Sequence, residues 1–388
     1  MSAHDVRRHL MRLDQLPAVR TPEAVGAIAI SAVAFVVVAY INTHSKSFGF
    51  DFRGNPWDAA RAVAHGRSPY AHMTTDYFRS HSNSYLLPPL FAELAIPLGA
   101  LPFGVAFGLW TALSVAAFGG ALYLVGVRSW LCFALAMLSF PLLDNLVLGQ
   151  LSAFMALGYA LVWRYRDRRE LPGLLVAFLI VLKLLAWPLF VWLLFSRRLR
   201  AAVTCALAVP VLFAVSWAVI GFHGVPDLIR GLSIDGRISH SHSITSVMGA
   251  LGLSHRVGVL AALVFGLLLL AVAAWAATLR ELDASAFAAA TAAGIYASPL
   301  VHPHYLLLIL VALAIVQPRP TWSWLALLGL WFSTSEPAVS TGGLYVSVAV
   351  SLATVGSTLW SGGLRDLGPI RARALSSSTP AEPELAAY

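Results

Sequence analysis

Charge is scarce in this 388-residue chain: Asp, Glu, Lys and Arg together make up 11% of it, against about 25% in soluble domains. So few charges cannot coat a water-facing surface, and a hydrophobic content of 59% with a mean hydropathy of +0.76 points the same way. Cysteine is confined to Cys132 and Cys205, both inside apolar segments, which excludes a disulfide framework. Lysine is nearly missing, with Lys46 and Lys183 alone among 26 basic residues. A phosphate-cradling glycine loop of the nucleotide-binding kinds is absent. No internal repeat recurs at a constant period, which counts against transporters built from repeated halves. The formal net charge of +8 would suit a nucleic-acid binder if it formed one stripe. The arginines instead cluster at the ends of apolar runs, so they are topology anchors and no nucleic-acid partner is expected.

What the chain has in abundance is long apolar runs. About ten stretches, among them 22–41, 104–126, 201–221, 259–279 and 343–361, are long enough or nearly so to span a bilayer. The expected fold is therefore an all-α polytopic membrane protein. Positive charge marks cytoplasmic loops. Arg7, Arg8, Arg12 and Arg20 precede the first span, Arg164, Arg166, Arg168 and Arg169 form one loop, Arg197, Arg198 and Arg200 another, and Arg365, Arg371 and Arg373 follow the last span. Placing all four clusters inside requires 171–195 to be a pair of short helices that enters and returns, turning between Lys183 and Pro188, and 86–101 to dip rather than cross. Residues 1–21 then form a cytoplasmic N-terminal segment, 22–361 the membrane domain, and 362–388, with its Ser and Pro, a largely disordered cytoplasmic tail.

With that parity the first loop (43–85), the turn at Gly149 and Gln150, the tip at Lys183, the loop 222–258 and the turn at His302 and His304 all lie outside. Lys183 sits amid Val181, Leu182, Leu184 and Leu185, where a mid-membrane charge costs roughly 2.5–3.5 kcal/mol on insertion scales. A lysine kept there faces a polar cavity or snorkels to an interface. His302-Pro303-His304 breaks an apolar stretch from Ala284 to Val316, which favours a polar pocket over a plain loop. In the first loop, Trp57, Ala60, Val63 and Ala64 share one face of a short helix expected to start at Pro56 and end at Gly66, lying in the membrane interface. His240, His242 and His255 raise a metal reading, but they lack the close ligand spacing of a zinc site, and no metal is expected.

The ordered landmarks resemble a known family. Asp51, the short amphipathic helix, Gly66-Arg67-Ser68-Pro69-Tyr70, Tyr85-Leu86-Leu87-Pro88-Pro89-Leu90, Gly149-Gln150, Lys183, Ser298-Pro299 and His304-Tyr305 are similar, in this order, to glycosyltransferase family 87, once catalogued as a domain of unknown function. The resemblance covers about residues 25–335. It departs from the family pattern at Leu87, Leu184 and His302, and matches only loosely at Ser241-His242-Ser243. It implies a GT-C-like bundle of about 10–12 transmembrane or re-entrant helices with an extracytoplasmic first loop carrying short interfacial helices. It further implies a polyprenyl-phosphate sugar donor and an acidic residue in the first outer loop near the reaction centre, which lands on Asp51, with the family's later histidine landing on His304.

Such a transfer needs an activated acceptor hydroxyl, a stabilised sugar cation and a neutralised leaving phosphate. Asp51, the first acid after the first span, is the expected general base, with Asp58 in reserve. Lys183, His304, Arg237 and His302 are the expected phosphate ligands, because cations there gain as the phosphate's charge develops. Tyr85, Gln150, Asp58 and His242 are the expected substrate contacts. Mannose or a pentose would pass to a lipid-linked or cell-envelope glycan acceptor on the outer face of a bacterial cytoplasmic membrane, with membrane lipids around it and no cofactor. A flippase or transporter of lipid-linked sugars is the alternative, since it too would hold buried polar residues among many spans.

Overall fold

The computed structural model describes residues 29, 36, 40, 48–70, 72, 74–80, 84–238, 241–332 and 341–361, including all their side chains except those of 78–80 and 236–238. Apart from three isolated positions, the expected span at 22–41 lies outside the described residues, as do the segment 1–21, the tail 362–388 and His240. Among the described residues every regular element is a helix, and the chain is a multi-pass membrane protein.

Among the described residues four helices are long and apolar enough to cross a membrane: α1 (Phe103–Leu124) and, later in the chain, Leu199–Val219, His255–Ala277 and Thr341–Leu359. Each lies within a few residues of an apolar run expected from hydropathy. After α1 the chain forms α2 (Trp130–Met137) and α3 (Phe140–Leu148), bent by 50°. Ser139 and Pro141 sit at that bend, where Pro141 falls in the first turn and gives up no helical hydrogen bond. α3 ends at Gly149, whose φ of 79° is left-handed, and any Cβ there would collide with Phe52. Glycine is thus required twice over at the junction into α4 (Ser152–Arg164).

The next segment is a hairpin. α5 (Leu171–Leu182) stops because Lys183 is extended, at φ −156° and ψ 119°; a 3-10 turn over Leu184–Ala186 then leads into α6 (Pro188–Phe195). Its start and end meet, since Arg198 Nε donates to the Arg166 carbonyl at 2.9 Å. The segment is therefore a hairpin of two short helices, and α5 rises only about 18 Å at 1.5 Å per residue, short of the roughly 30 Å hydrocarbon core. Lys183 sits at the tip of this hairpin, between α5 and the 3-10 turn. The tip packs tightly on its neighbour, because Gly294 lies against the Leu185 carbonyl where no side chain would fit.

From Arg198, α7 (Leu199–Val219) runs to α8 (Val225–Ile238), then Ile244–Ala250, α9 (His255–Ala277), α10 (Asp283–Tyr296), a 3-10 turn over Pro303–Leu306, α11 (Leu307–Val316) and α12 (Thr341–Leu359). α10 is the central column: its alanine-rich sequence is buried from Ser285 to Tyr296, and small residues let α9 approach closely, with Gly266 against Ala297. Arg198 binds Asp283 bidentately, at 2.9 and 2.8 Å. The loops around 166, 198 and 283 therefore share one end of the bundle, and the turns at 149 and 302–305 share the other.

The first loop departs from expectation in two ways. Its helix begins at Phe50 rather than Pro56, continuing through a wide π turn over Arg53–Asp58 into Ala59–Ala64. Pro56 lacks an amide hydrogen and is absorbed by widening the turn instead of starting the helix. Its apolar face does not turn to lipid either. Ala60 and Val63 of the expected face, with Ala59, are buried against the short helix Ile96–Gly99, and Trp57 Nε1 donates to the Leu101 carbonyl at 3.0 Å, whereas Ala64 is exposed. The 86–101 stretch offers this docking surface as two short helices, Pro89–Leu94 and Ile96–Gly99, neither long enough to cross.

Candidate active site

The site is built where the first loop is stapled to the end of α3. Gly49 donates its amide to the Val147 carbonyl at 2.7 Å, while the Asn145 carbonyl accepts from the amides of Gly149 and Gln150, each at 2.9 Å. Asn145 also caps the next helix, its Oδ1 accepting from the Ala153 amide at 3.2 Å. These bonds fix the two chain ends that carry Asp51 and Gln150. The Gln150 Nε2 donates to Asp51 Oδ2 at 2.6 Å, across 99 positions of sequence.

Asp51 lies in the first loop, outside the spans. Burial pushes its carboxyl up to about 7; the Gln150 amide opposes this, Asp144 adds to it, Lys183 opposes it and Asp235 adds to it. A carboxylate tuned to that range accepts a proton far more readily than an ordinary aspartate. Asp144, Lys183 and Asp235 accordingly stand within electrostatic reach of Asp51.

Lys183 places its Nζ 3.9 Å from the centroid of the Tyr305 ring, a cation–π contact that holds the ammonium without neutralising it. The Tyr305 ring meets His304 edge-on at 4.9 Å and His302 at 5.5 Å, and the two imidazoles stack at 5.3 Å. His304 Nδ1 and Asp144 Oδ2 are 2.9 Å apart, with both side chains 2% exposed. His304 Nε2 is buried with no hydrogen-bond partner. The 3-10 turn over Pro303–Leu306 packs directly on α3, which brings these residues together.

Of the residues singled out by sequence, Asp51, Gln150, Lys183, His302 and His304 converge here. His242 lies behind them: its amide donates to the Val301 carbonyl at 2.7 Å, and its Nδ1 is 2.7 Å from Ser347 Oγ on α12. Tyr85 is elsewhere, its hydroxyl donating to the Pro88 carbonyl at 2.6 Å and accepting from the Ala92 amide at 3.1 Å, a brace for the turn into Pro89–Leu94. Asp58 is exposed on the far part of the loop helix. The Arg237 side chain lies outside the described residues, although its helix α8 brings Asp235 to the site. His255 is exposed at the start of α9, while His242 is buried.

Asp144 and Asp235 are the residues that sequence reasoning passed over. Asp144 had a usable signal, an acid within the apolar run Pro141-Leu142-Leu143-Asp144-Asn145-Leu146, since an ionisable residue at membrane depth marks function by default. Asp235 looks like any loop acid in sequence.

A multi-pass helical membrane protein with a polar centre at one end of its bundle is the class that fold and site define. The model of glycosyltransferase family 87 matches residues 85–303, more than half of the chain, and the protein belongs to that family. It is a membrane glycosyltransferase. It is 27% identical over 341 residues to the polyprenol-phosphate-mannose-dependent alpha-(1-2)-phosphatidylinositol pentamannoside mannosyltransferase of Mycobacterium tuberculosis (strain CDC 1551 / Oshkosh), the alignment covering 82% of this chain and 74% of that protein. No solved structure gives a significant match.

Proposed function

We propose that the protein transfers a sugar from a polyprenyl-phosphate donor to a lipid-linked or cell-envelope glycan acceptor, at the extracytoplasmic face of the cytoplasmic membrane. The observation that carries this reading is the convergence of a base and a cation at one end of the bundle: Asp51 on Gln150, and Lys183 on Tyr305 beside His302 and His304. The similar mycobacterial enzyme uses polyprenol-phosphate-mannose, which supports the donor class. The arginine loops at 164–169 and 197–200 gather at the opposite end, which supports an outward-facing site by the positive-inside rule.

In this reading Asp51 takes the proton of the acceptor hydroxyl as that oxygen attacks the anomeric carbon. The bond from that carbon to the donor phosphate breaks, and the electron pair leaves with the polyprenyl phosphate. Gln150 orients the carboxylate. Lys183 and His304 face the phosphate, where their interaction strengthens as negative charge accumulates in the transition state. Mannose and pentoses are the donor sugars to test first. Purified protein offered a panel of polyprenyl-phosphate sugars with lipid extract, followed by mass spectrometry, checks the reading. Release of polyprenyl phosphate with appearance of a glycosylated lipid is the expected outcome. Movement of intact donor across vesicles without sugar release is the result of a flippase and overturns it.

A further inference from the structure

We propose that Asp144 is a positioning residue for the transfer, holding the His304 imidazole so that its Nε2 meets the donor phosphate. The inference rests on the phosphate role given to His304 above. With Asp144 ionised its carboxylate can only accept, so at 2.9 Å His304 Nδ1 carries a proton and donates to it. That bond fixes the ring's orientation, as carboxylates hydrogen-bonded to the far nitrogen of metal-binding histidines do. A carboxylate bonded to Nδ1–H also favours protonation of the whole ring, and the imidazolium's Nε2–H is the donor that a phosphate oxygen requires; Nε2 is buried with no partner. Buried polar atoms are almost always paired, so an orphan beside Lys183, His302 and Tyr305 marks a place where a ligand or water completes the structure.

The position of Asp144 explains why this carboxylate can serve. It lies on α3, the same helix whose end presents Gln150 to Asp51. One rigid element therefore sets the base, through Gln150, and the phosphate ligand, through Asp144. The ring is also sandwiched, stacked on His302 on one side and edge-on to Tyr305, so losing the carboxylate frees rotation without emptying the pocket.

The test is Asp144→Asn, His304→Ala and the double variant, assayed for turnover and for affinity toward a non-hydrolysable polyprenyl-phosphate sugar analogue. Asp144→Asn should lower kcat about 10- to 100-fold with less than about threefold change in analogue affinity, because an interaction made mainly in the transition state appears in kcat. The double variant should lose no more than His304→Ala alone, since Asp144 acts only through that ring. Wild-type kcat in Asp144→Asn, or losses that multiply in the double variant, overturns the proposal. A structural role would lower stability in Asp144→Asn and leave the kcat of the folded fraction unchanged. A second measurement needs no variant at position 144. In 15N-histidine-labelled wild-type protein, His304 should show a protonated Nδ1 and, once the analogue is added, a protonated Nε2 with a shifted resonance, assigned by its loss in His304→Gln. An unprotonated Nδ1, or an Nε2 that ignores the analogue, overturns it. Donor consumption by the wild type tests the transfer reading separately: turnover with a full rate in His304→Ala sinks the phosphate role alone, whereas no turnover at all sinks the reading of function.

Discussion

The two ends of the bundle each hold a half-buried carboxylate beside cationic groups, and they treat it differently. At one end both oxygens of Asp283 are used: Arg198 grips them at 2.9 and 2.8 Å, Trp192 Nε1 donates at 2.9 Å, and Arg166 Nε approaches at 3.4 Å. Arg198 lies over Trp192 and Arg166 over Trp163, so the cations are packed as well as paired. At the other end Asp51 is held by the amide of a single glutamine, Lys183 rests on an aromatic face, and Nε2 of His304 has no partner. A saturated network locks loops together, whereas an incomplete one costs folding free energy and is kept where a ligand completes it. The comparison predicts that removing a charge costs turnover at the incomplete end and stability at the saturated one.

Asp51→Asn should have the largest effect on turnover, a fall of about 10² to 10⁴, the usual worth of general-base catalysis. Donor-analogue affinity should stay close to wild type. The same change should raise thermal stability. The carboxyl is pushed up to about 7 in the fold from 3.8, so keeping it neutral is favourable and its ionisation is what costs; that contribution is present below the unfolded value and lost as pH rises through the folded one. The advantage of asparagine should therefore be smallest near pH 4 and largest above pH 7. A loss of turnover confined to Asp58→Asn would move the base out of the incomplete end altogether.

Lys183→Met comes next. If the ammonium contacts the donor phosphate in both ground and transition states, binding and rate fall together, by about 10- to 100-fold overall, as expected for a charge-assisted bond of roughly 1.5–3 kcal/mol. Isothermal titration with the non-hydrolysable donor alongside turnover measures both. Unchanged affinity and rate would leave Lys183 as an anchor stacked on Tyr305.

The pH profile of the wild type sharpens the contrast further. A base must be deprotonated to act, so kcat/KM should climb about tenfold per unit below about 7 and level off above it, and the limb should vanish in Asp51→Asn. A profile flat between pH 5 and 8 would place proton transfer on another group.

Much of this contrast was legible in the sequence at the incomplete end and almost none at the saturated one. Lys183 and His302-Pro303-His304 announce themselves because charge and proline inside apolar runs are costly, and Gly149-Gln150 because a helix stop there stands out. The long spans follow from hydropathy, and their ends shift by only a few residues. The partners were not legible. Asp144 and His304 are 160 positions apart, Arg198 and Asp283 are 85 apart, and nothing in local periodicity pairs them. Hydropathy windows also average a lone acid such as Asp144 into its apolar neighbours. The first-loop helix was expected against lipid for a related reason: an apolar face says that something covers it, and only the fold shows that Ile96–Gly99 does.

Arg198→Met should have the smallest effect on chemistry and is the sharpest check on the comparison. It removes both hydrogen bonds to Asp283, the bond to the Arg166 carbonyl and a 3.4 Å contact with Asp167, leaving a mostly buried carboxylate with Trp192 and Arg166. Breaking a fully buried pair costs about 3–5 kcal/mol. Here the two side chains are 17% and 18% exposed, and Arg166 remains nearby, so a lower cost of about 1–3 kcal/mol is expected after allowance for solvent. Thermal unfolding followed by tryptophan fluorescence in detergent should show a lower midpoint, and salt should narrow the gap to wild type. The kcat of the folded fraction should match wild type, because the hairpin that carries Lys183 is also held at its tip by the close approach of Gly294 to Leu185. A selective loss of kcat in Arg198→Met, with the midpoint unchanged, would mean that the hairpin transmits the state of the arginine end to Lys183, and the two ends would have to be described as one coupled system.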